Sequence, residues 1–206
     1  MIKLSILTPM YNTAQYITKA LDSIPRRDDI EVLVRDNAST DDSLALVKQY
    51  KKDHPELNLK VFANKTNKGI AYSVNKLLSG AQGEYYHVLD SDDYLYTEKY
   101  NEVIDAIDGE YDIYYINLKT NDGTILEVDP KSEICPVANT TKIVRREFAS
   151  GLKHQEDRVY DSDWFFNRDL LARNPKCKYT RATAYHYNYP REGSIMDEYF
   201  KSLGFR

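Results

Sequence analysis

Two hydrophobic rhythms alternate along the first part of this chain, and that alternation restricts it to few architectures. Residues 2–8, 30–34, 57–62 and 85–89 are short, nearly continuous apolar runs, as expected of strands buried on both faces of a sheet. Between them, apolar residues recur at three-to-four spacing, the period of a helix with one buried face. Over residues 13–24 these are Tyr16, Ile17, Ala20, Leu21 and Ile24. Leu44, Val47 and Tyr50 form a second set behind Ser39 and Thr40, either of which can cap a helix, and residues 71–78 make a third. Pro9 is expected to end the first strand and Pro25 the first helix. The order predicts right-handed crossovers and an α/β, Rossmann-like, doubly wound, mainly parallel sheet with helices on both faces. Ligands of such sheets gather beyond the carboxyl ends of the strands, so the loops after Thr8, Val34, Phe62 and Leu89 should line one crevice.

Beyond Asp93 the rhythm changes. Residues 111–116 and 124–128 flank Asn121-Asp122-Gly123, a hairpin turn signal, so the sheet should become mixed. A further helix is expected over residues 157–171, with Val159, Trp164, Phe165 and Leu170 or Leu171 on its buried face. At 206 residues and 42% hydrophobic content, the chain reads as one domain, 1–206.

Charge and composition remove several function classes. A net charge of -4 with interspersed signs offers no basic stripe for a nucleic-acid backbone. No apolar run approaches the roughly 18 residues of a membrane span. The first dozen residues are too short and polar for a secretory signal, so a cytoplasmic location is expected, with peripheral membrane association left open. Cys135 and Cys177 lack any C-x-x-C spacing and read as buried thiols. The 18 tyrosines could serve a core or offer flat faces to a sugar. With eight glycines and neither G-x-G-x-x-G nor G-x-x-x-x-G-K-[ST], a dehydrogenase or P-loop nucleotidase is disfavoured.

The strand at 85–89 runs into Asp90-Ser91-Asp92-Asp93, three carboxylates in four residues. Such charges repel unless solvent or a cation screens them, and carboxylate oxygens suit Mg²⁺ or Mn²⁺, which take one or two protein carboxylates and leave other positions to substrate phosphates. The bland alternative is an exposed acidic turn capping the next helix.

Several motifs now fall in order along the chain. Leu4-Ser5-Ile6-Leu7-Thr8-Pro9-Met10-Tyr11-Asn12, Val34-Arg35-Asp36-Asn37-Ala38-Ser39-Thr40-Asp41, Asn67-Lys68-Gly69, Asn75 and Ala81-Gln82-Gly83-Glu84-Tyr85 lead into the acidic turn. Gln155-Glu156-Asp157 and Arg191-Glu192-Gly193-Ser194-Ile195 follow. Together they resemble the family 2 glycosyltransferases of the GT-A fold. The resemblance implies an inverting, metal-dependent enzyme that moves a sugar from a nucleotide diphosphate donor to a hydroxyl of a glycan or glycolipid, as in polysaccharide biosynthesis. Residues 1–93 would form the nucleotide-sugar half and 94–206 the acceptor half.

Carried over residue by residue, Pro9, Tyr11 and Asp36 hold the nucleoside, Asn67 touches the base or orders its loop, and Asn75, Asp90, Ser91, Asp92 and Arg191 belong to the donor site. Asp92 and Asp90 would hold Mn²⁺ or Mg²⁺, with His186 as a third ligand or, more simply, a packed core residue. A carboxylate at Asp36 accepts from uracil or thymine N3–H but opposes a lone pair on cytosine N3, which favours UDP or dTDP sugars; a turn-capping Asp36 is the alternative. Asp157 would be the general base, or else an acid favoured at a helix N-terminus. Where many relatives carry arginine before the asparagine, this chain has Val74, and Lys68 or Lys76 would have to supply the cation. Val159 stands where the Q-x-x-R-W element of processive synthases has tryptophan, so transfer should be nonprocessive. Trp164 could floor an acceptor subsite, although core burial is the simpler expectation. A sugar nucleotidyltransferase lacks support because no basic, glycine-rich triphosphate loop opens the chain, and a noncatalytic sugar-binding module would not need both Asp92 and Asp157.

Overall fold

The computed structural model describes residues 1–128, 138–158, 161–194, 197–198 and 201. The chain runs β1 (Leu4–Met10), α1 (Ile17–Asp22), β2 (Ile30–Asp36), α2 (Ser43–Asp53), β3 (Leu59–Ala63), α3 (Ile70–Gly80) and β4 (Tyr85–Val88). It continues with β5 (Tyr94–Leu95), α4 (Thr97–Asp105), β6 (Ile113–Thr120), β7 (Ile125–Leu126), a 3₁₀ turn (Asn139–Thr141), β8 (Lys142–Arg145), α5 (Ser162–Leu171) and β9 (Cys177–Tyr187).

These strands form one sheet in the order β3-β2-β1-β4-β8-β6-β9-β5, with β7 beside β6. The β3-β2-β1-β4 part is parallel; β8 pairs antiparallel with β4 and β6, so the sheet is mixed, as expected. The period-two geometry of a strand sends successive side chains to opposite faces. Ile30, Val32 and Val34 therefore join α1, α2 and α4 residues in one core, while Leu33 joins Val74 and Leu77 of α3 and Phe166 and Leu170 of α5 in the other. Tyrosines fill much of this interior, and several of their hydroxyls find acceptors: Tyr85 donates to the Tyr111 carbonyl at 2.8 Å and Tyr114 to Asp108 at 2.6 Å. Among the described residues no helix is long and apolar enough to cross a membrane.

Several local expectations are corrected. Pro9 lies inside β1, opposite Arg35. Its main chain faces the same side as Leu7, whose carbonyl accepts from Leu89 N–H, and β4 ends there, so no ladder bond is lost for want of a proline N–H. Asp42, not Ser39 or Thr40, precedes α2. The helix expected from residue 157 starts at Ser162, because the chain first makes a turn in which Arg158 N–H bonds the Gln155 carbonyl. Its buried residues include Phe166 and Leu170, and Trp164 turns outward at 49% exposure, which overturns its assignment to the core. Cys135 and Val159 lie outside the described residues.

At the amino ends of the parallel strands, buried Glu31 accepts from Ser5 Oγ (2.6 Å), Gln82 N–H (2.5 Å) and Lys60 Nζ (2.7 Å). Gly83 N–H in turn donates to Ser5 Oγ. A Cβ on Gly83 would stand 2.6 Å from Ser5 N and 2.7 Å from the Tyr85 carbonyl oxygen, both backbone atoms that cannot swing away. Gly83→Ala should therefore lower the unfolding free energy by about 1–3 kcal/mol, read from denaturant titration.

His87 is fully buried on β4. Its Nε2–H donates to the Thr140 carbonyl (2.9 Å), which leaves Nδ1 to accept the Tyr100 hydroxyl (2.6 Å). Burial pushes its pKa from 6.5 down to about 4. A depressed histidine stabilises the fold fully above its unfolded pKa and loses that contribution as pH falls towards the folded value. The stability difference between wild type and His87→Gln should thus shrink by about 3 kcal/mol between pH 6.5 and 4, measured by denaturant titration across that range.

Candidate active site

The site is built where the parallel strands end, by loops tied to one another through short polar side chains. Asn12, which takes a left-handed conformation (φ 51°), accepts from Thr40 N–H at 2.8 Å, and its own N–H donates to Ser39 Oγ at 2.9 Å. Thr13 N–H donates to Ser43 Oγ and Ala14 N–H to Asp41. The β1 and β2 loops are thereby held edge to edge. Ser91 of the acidic turn joins them by accepting from Thr13 Oγ1 at 3.1 Å. Asn37 links β2's loop to β3's: its Nδ2 donates to Asn67 Oδ1 (2.7 Å), and its Oδ1 accepts from Asn64 Nδ2 and Lys68 N–H. Asn67 orders this loop, also accepting from Gly69 N–H.

Asp36 ends β2 at 1% exposure and accepts from Ser39 N–H at 3.2 and 3.3 Å, the turn-capping geometry. Tyr11 follows the end of β1, 45% exposed, two residues past buried Pro9.

The three carboxylates of the acidic turn meet different fates. Asp93 is buried and held by β9's end: Tyr185 Oη donates to its Oδ2 (2.6 Å), and Asn188 N–H to its Oδ1 (2.8 Å). Burial and the neighbouring Asp92 charge push its pKa up to about 7 despite those bonds. Asp92 pairs with Arg191 Nη2 at 2.7 Å, and the same guanidinium lies over the Tyr16 ring. Arg191 Nε is buried without a hydrogen-bond partner among the described residues. The Asp90 carboxylate alone has no hydrogen-bond or ion partner among the described residues; burial, then the Asp93 and Asp92 charges, holds its pKa well above the ordinary carboxylate value.

An unpartnered carboxylate next to one paired with an arginine is a donor set that suits a hard divalent ion. Among the described residues no three His, Cys, Asp or Glu side chains converge on one point. The arrangement fits an ion that is completed by phosphate oxygens and water, as Mg²⁺ and Mn²⁺ commonly are.

His186 is not brought to this ion position as a ligand. Its ring stacks on Tyr94 (4.1 Å, 14°), Nε2–H donates to Asn121 Oδ1 at 2.9 Å, and Nδ1 accepts the Tyr96 hydroxyl at 2.9 Å. Both ring nitrogens are used, so no lone pair remains for a metal.

Asn75 acts as a clamp. Its Oδ1 accepts from His154 N–H (2.8 Å), and its Nδ2 donates to the His154 carbonyl and to Glu156 Oε1, each at 2.9 Å. The segment carrying Glu156 and Asp157 is thus fastened to α3. Asp157 is exposed and precedes α5 by five residues, which removes the helix-terminus explanation for it. His154, Asn139 and Asp163 also face Asp90 across a small cavity, and the sequence reading passed over all three. No motif marks them, since they meet only through the packing of α5 and the 3₁₀ turn against β4.

The fold and the site define a class: an α/β sheet presenting an acidic turn and laced loops at its carboxyl edge. The sequence assigns the chain within it, for residues 5–173 match the model of glycosyl transferase family 2, and the chain belongs to that family. It is 30% identical, over 98% of its length, to the poly(ribitol-phosphate) beta-N-acetylglucosaminyltransferase TarS of Staphylococcus aureus, and spans 38% of that protein. The crystal structure of S. aureus TarS 1-349 in complex with UDP superposes with a TM-score of 0.79 at 26% identity, covering 96% of this chain and 62% of that one. The complex of the same protein with UDP-GlcNAc gives 0.78 at 28% identity, covering 95% and 60%.

Asn75→Ala removes three hydrogen bonds that close the 154–156 segment on α3. Amide exchange at His154 should quicken by roughly 10- to 100-fold, with little change in global unfolding, as read by hydrogen–deuterium exchange.

Proposed function

We propose that this chain transfers a sugar from a UDP-sugar to a hydroxyl of a polyol-phosphate or related glycan acceptor, with inversion at the anomeric carbon and help from Mn²⁺ or Mg²⁺. The observation that carries this is the unpartnered Asp90 beside Asp92, set where the loops of β1, β2 and β4 are laced together. The UDP preference draws on the buried carboxylate of Asp36 and on the UDP and UDP-GlcNAc complexes of the S. aureus relative. The acceptor class draws on that relative's poly(ribitol-phosphate) specificity.

In this reading Pro9, Tyr11 and Asp36 form the nucleoside end, Asn67 keeps that end ordered, and Ser91 braces the acidic turn. Asp90 and Asp92 would hold the divalent ion, which when bound supplies Lewis-acid stabilisation to the departing diphosphate. Arg191, paired with Asp92 and two residues before Gly193 (φ 72°), would supply a guanidinium to the diphosphate. Asp157 takes the proton from the acceptor hydroxyl as it attacks, and Asn75 positions the segment that carries it. Residues 1–93 serve mainly the donor and 94–206 the acceptor.

Calorimetry with UDP, GDP and UDP-sugars, with Mn²⁺ and with chelator, tests the donor half. Wild type should bind UDP only with metal, and Asp92→Ala should lose that binding. Asp157→Asn should keep UDP affinity while turnover with an acceptor falls by about 10²- to 10⁴-fold. Absence of nucleotide binding under every condition would leave a noncatalytic glycan-binding module as the better account.

A further inference from the structure

Asp90 lines a largely enclosed cavity of about 40 Å³. Val74 and Val88 contribute apolar lining; Asn139, His154, Asp163 and Asp90 contribute polar lining. Since about 10–15 Å³ on this scale holds one water, the space suits a hydroxyl or hydroxymethyl group and excludes a pyranose ring.

Its polar lining is built and incomplete. His154 is 3% exposed, and its ring lies flat against Phe166 (4.2 Å, 6°). Its main chain is fixed at both N–H and carbonyl by Asn75. The ring is thus held in place, yet Nδ1 is buried with no hydrogen-bond partner among the described residues. Asp163 stands 3.6 Å from that nitrogen, beyond hydrogen-bond reach. It is itself oriented by Asn139, through N–H at 3.1 Å and Nδ2 at 2.7 Å. An acceptor-only carboxylate and an unpaired imidazole nitrogen on one small cavity call for a group that can donate to one and either donate to or accept from the other. A hydroxyl is the smallest group that does so. Val74 matters as well: a longer, charged side chain from that position of α3 would fill the cavity and compete for its acceptors.

We propose that this cavity is the pocket that selects the donor sugar, receiving one hydroxyl or hydroxymethyl group of the hexose between His154 Nδ1 and Asp163, with Val74 keeping the space open. The proposal rests on the nucleotide-sugar reading of the acidic turn. His154 and Asp163 then discriminate between hexose epimers without touching the nucleotide.

The test compares Kd for UDP, UDP-glucose, UDP-galactose and UDP-GlcNAc, with Mn²⁺, in wild type, His154→Phe and Val74→Met. Phenylalanine keeps a ring against Phe166 and removes both ring nitrogens, Nδ1 together with the one bonded to the Ser162 backbone, whereas methionine fills the cavity from its apolar side and leaves His154 intact. Thermal unfolding establishes that each variant is folded, and either one alone suffices for the comparison. UDP affinity should stay within about twofold of wild type in both. The preferred UDP-sugar should weaken by about tenfold, the worth of one hydrogen bond, and the preference between the glucose and galactose epimers should collapse. Unchanged UDP-sugar affinities, a parallel loss for UDP and UDP-sugars, or a wild type with no preference among the sugars overturns the pocket while the nucleotide reading stands. A wild type that binds no UDP overturns the nucleotide reading and the pocket with it.

Discussion

Mutual repulsion of three carboxylates at the exit of a buried strand is the constraint around which the second half of this molecule is arranged. Asp93 is resolved by hydrogen bonds from Tyr185 and Asn188, which fasten the acidic turn to the end of β9. Asp92 is resolved by Arg191 from the segment that follows. Asp90 is left without a hydrogen-bond or ion partner among the described residues, and burial beside two other carboxylates raises its pKa. One carboxylate hydrogen-bonded, one ion-paired and one left open is the arrangement on which the proposed cation site rests.

The first half supplies rigidity. Parallel strands deliver their exit loops to one edge, and short polar side chains then bond across the loops: Asn12 to Thr40, Thr13 to Ser43 and Ser91, Asn37 to Asn64 and Asn67. Each bond is worth little alone, but together they fix backbone that has no ladder of its own. Asn75 extends the same device to the segment bearing Glu156 and Asp157, so both sides of the crevice are referenced to α3 and β1.

Much of the fold was legible because burial imposes a period. The strands at β1 to β4 and the helices between them follow from runs and three-to-four spacings, and the hairpin at Asn121-Asp122-Gly123 follows from turn chemistry. The reading failed where a local rule depended on a distant neighbour. Pro9 stays in β1 because β4 ends beside it; α5 starts late because Arg158 first closes a turn; Trp164 points outward because Phe166 and Leu170 take the inner face. The helix at α4 was missed although Tyr100, Val103 and Ile104 carry the right spacing, since nine residues with charged flanks give a short signal.

Family, alternating sheet and the residue types at the strand exits can be read from the chain alone, because hydrophobic period and short motifs are local properties. Tertiary structure decided what those residues do to one another. It assigned Asp93 to anchoring and Asp92 to an ion pair, spent both nitrogens of His186 on Tyr96 and Asn121, turned Asn75 into a clamp, and gathered His154, Asn139 and Asp163 around a cavity beside Asp90. Those outcomes depend on which side chains meet across tens of residues, and pairing over such separations is set by the packing of the whole sheet rather than by any segment's own sequence.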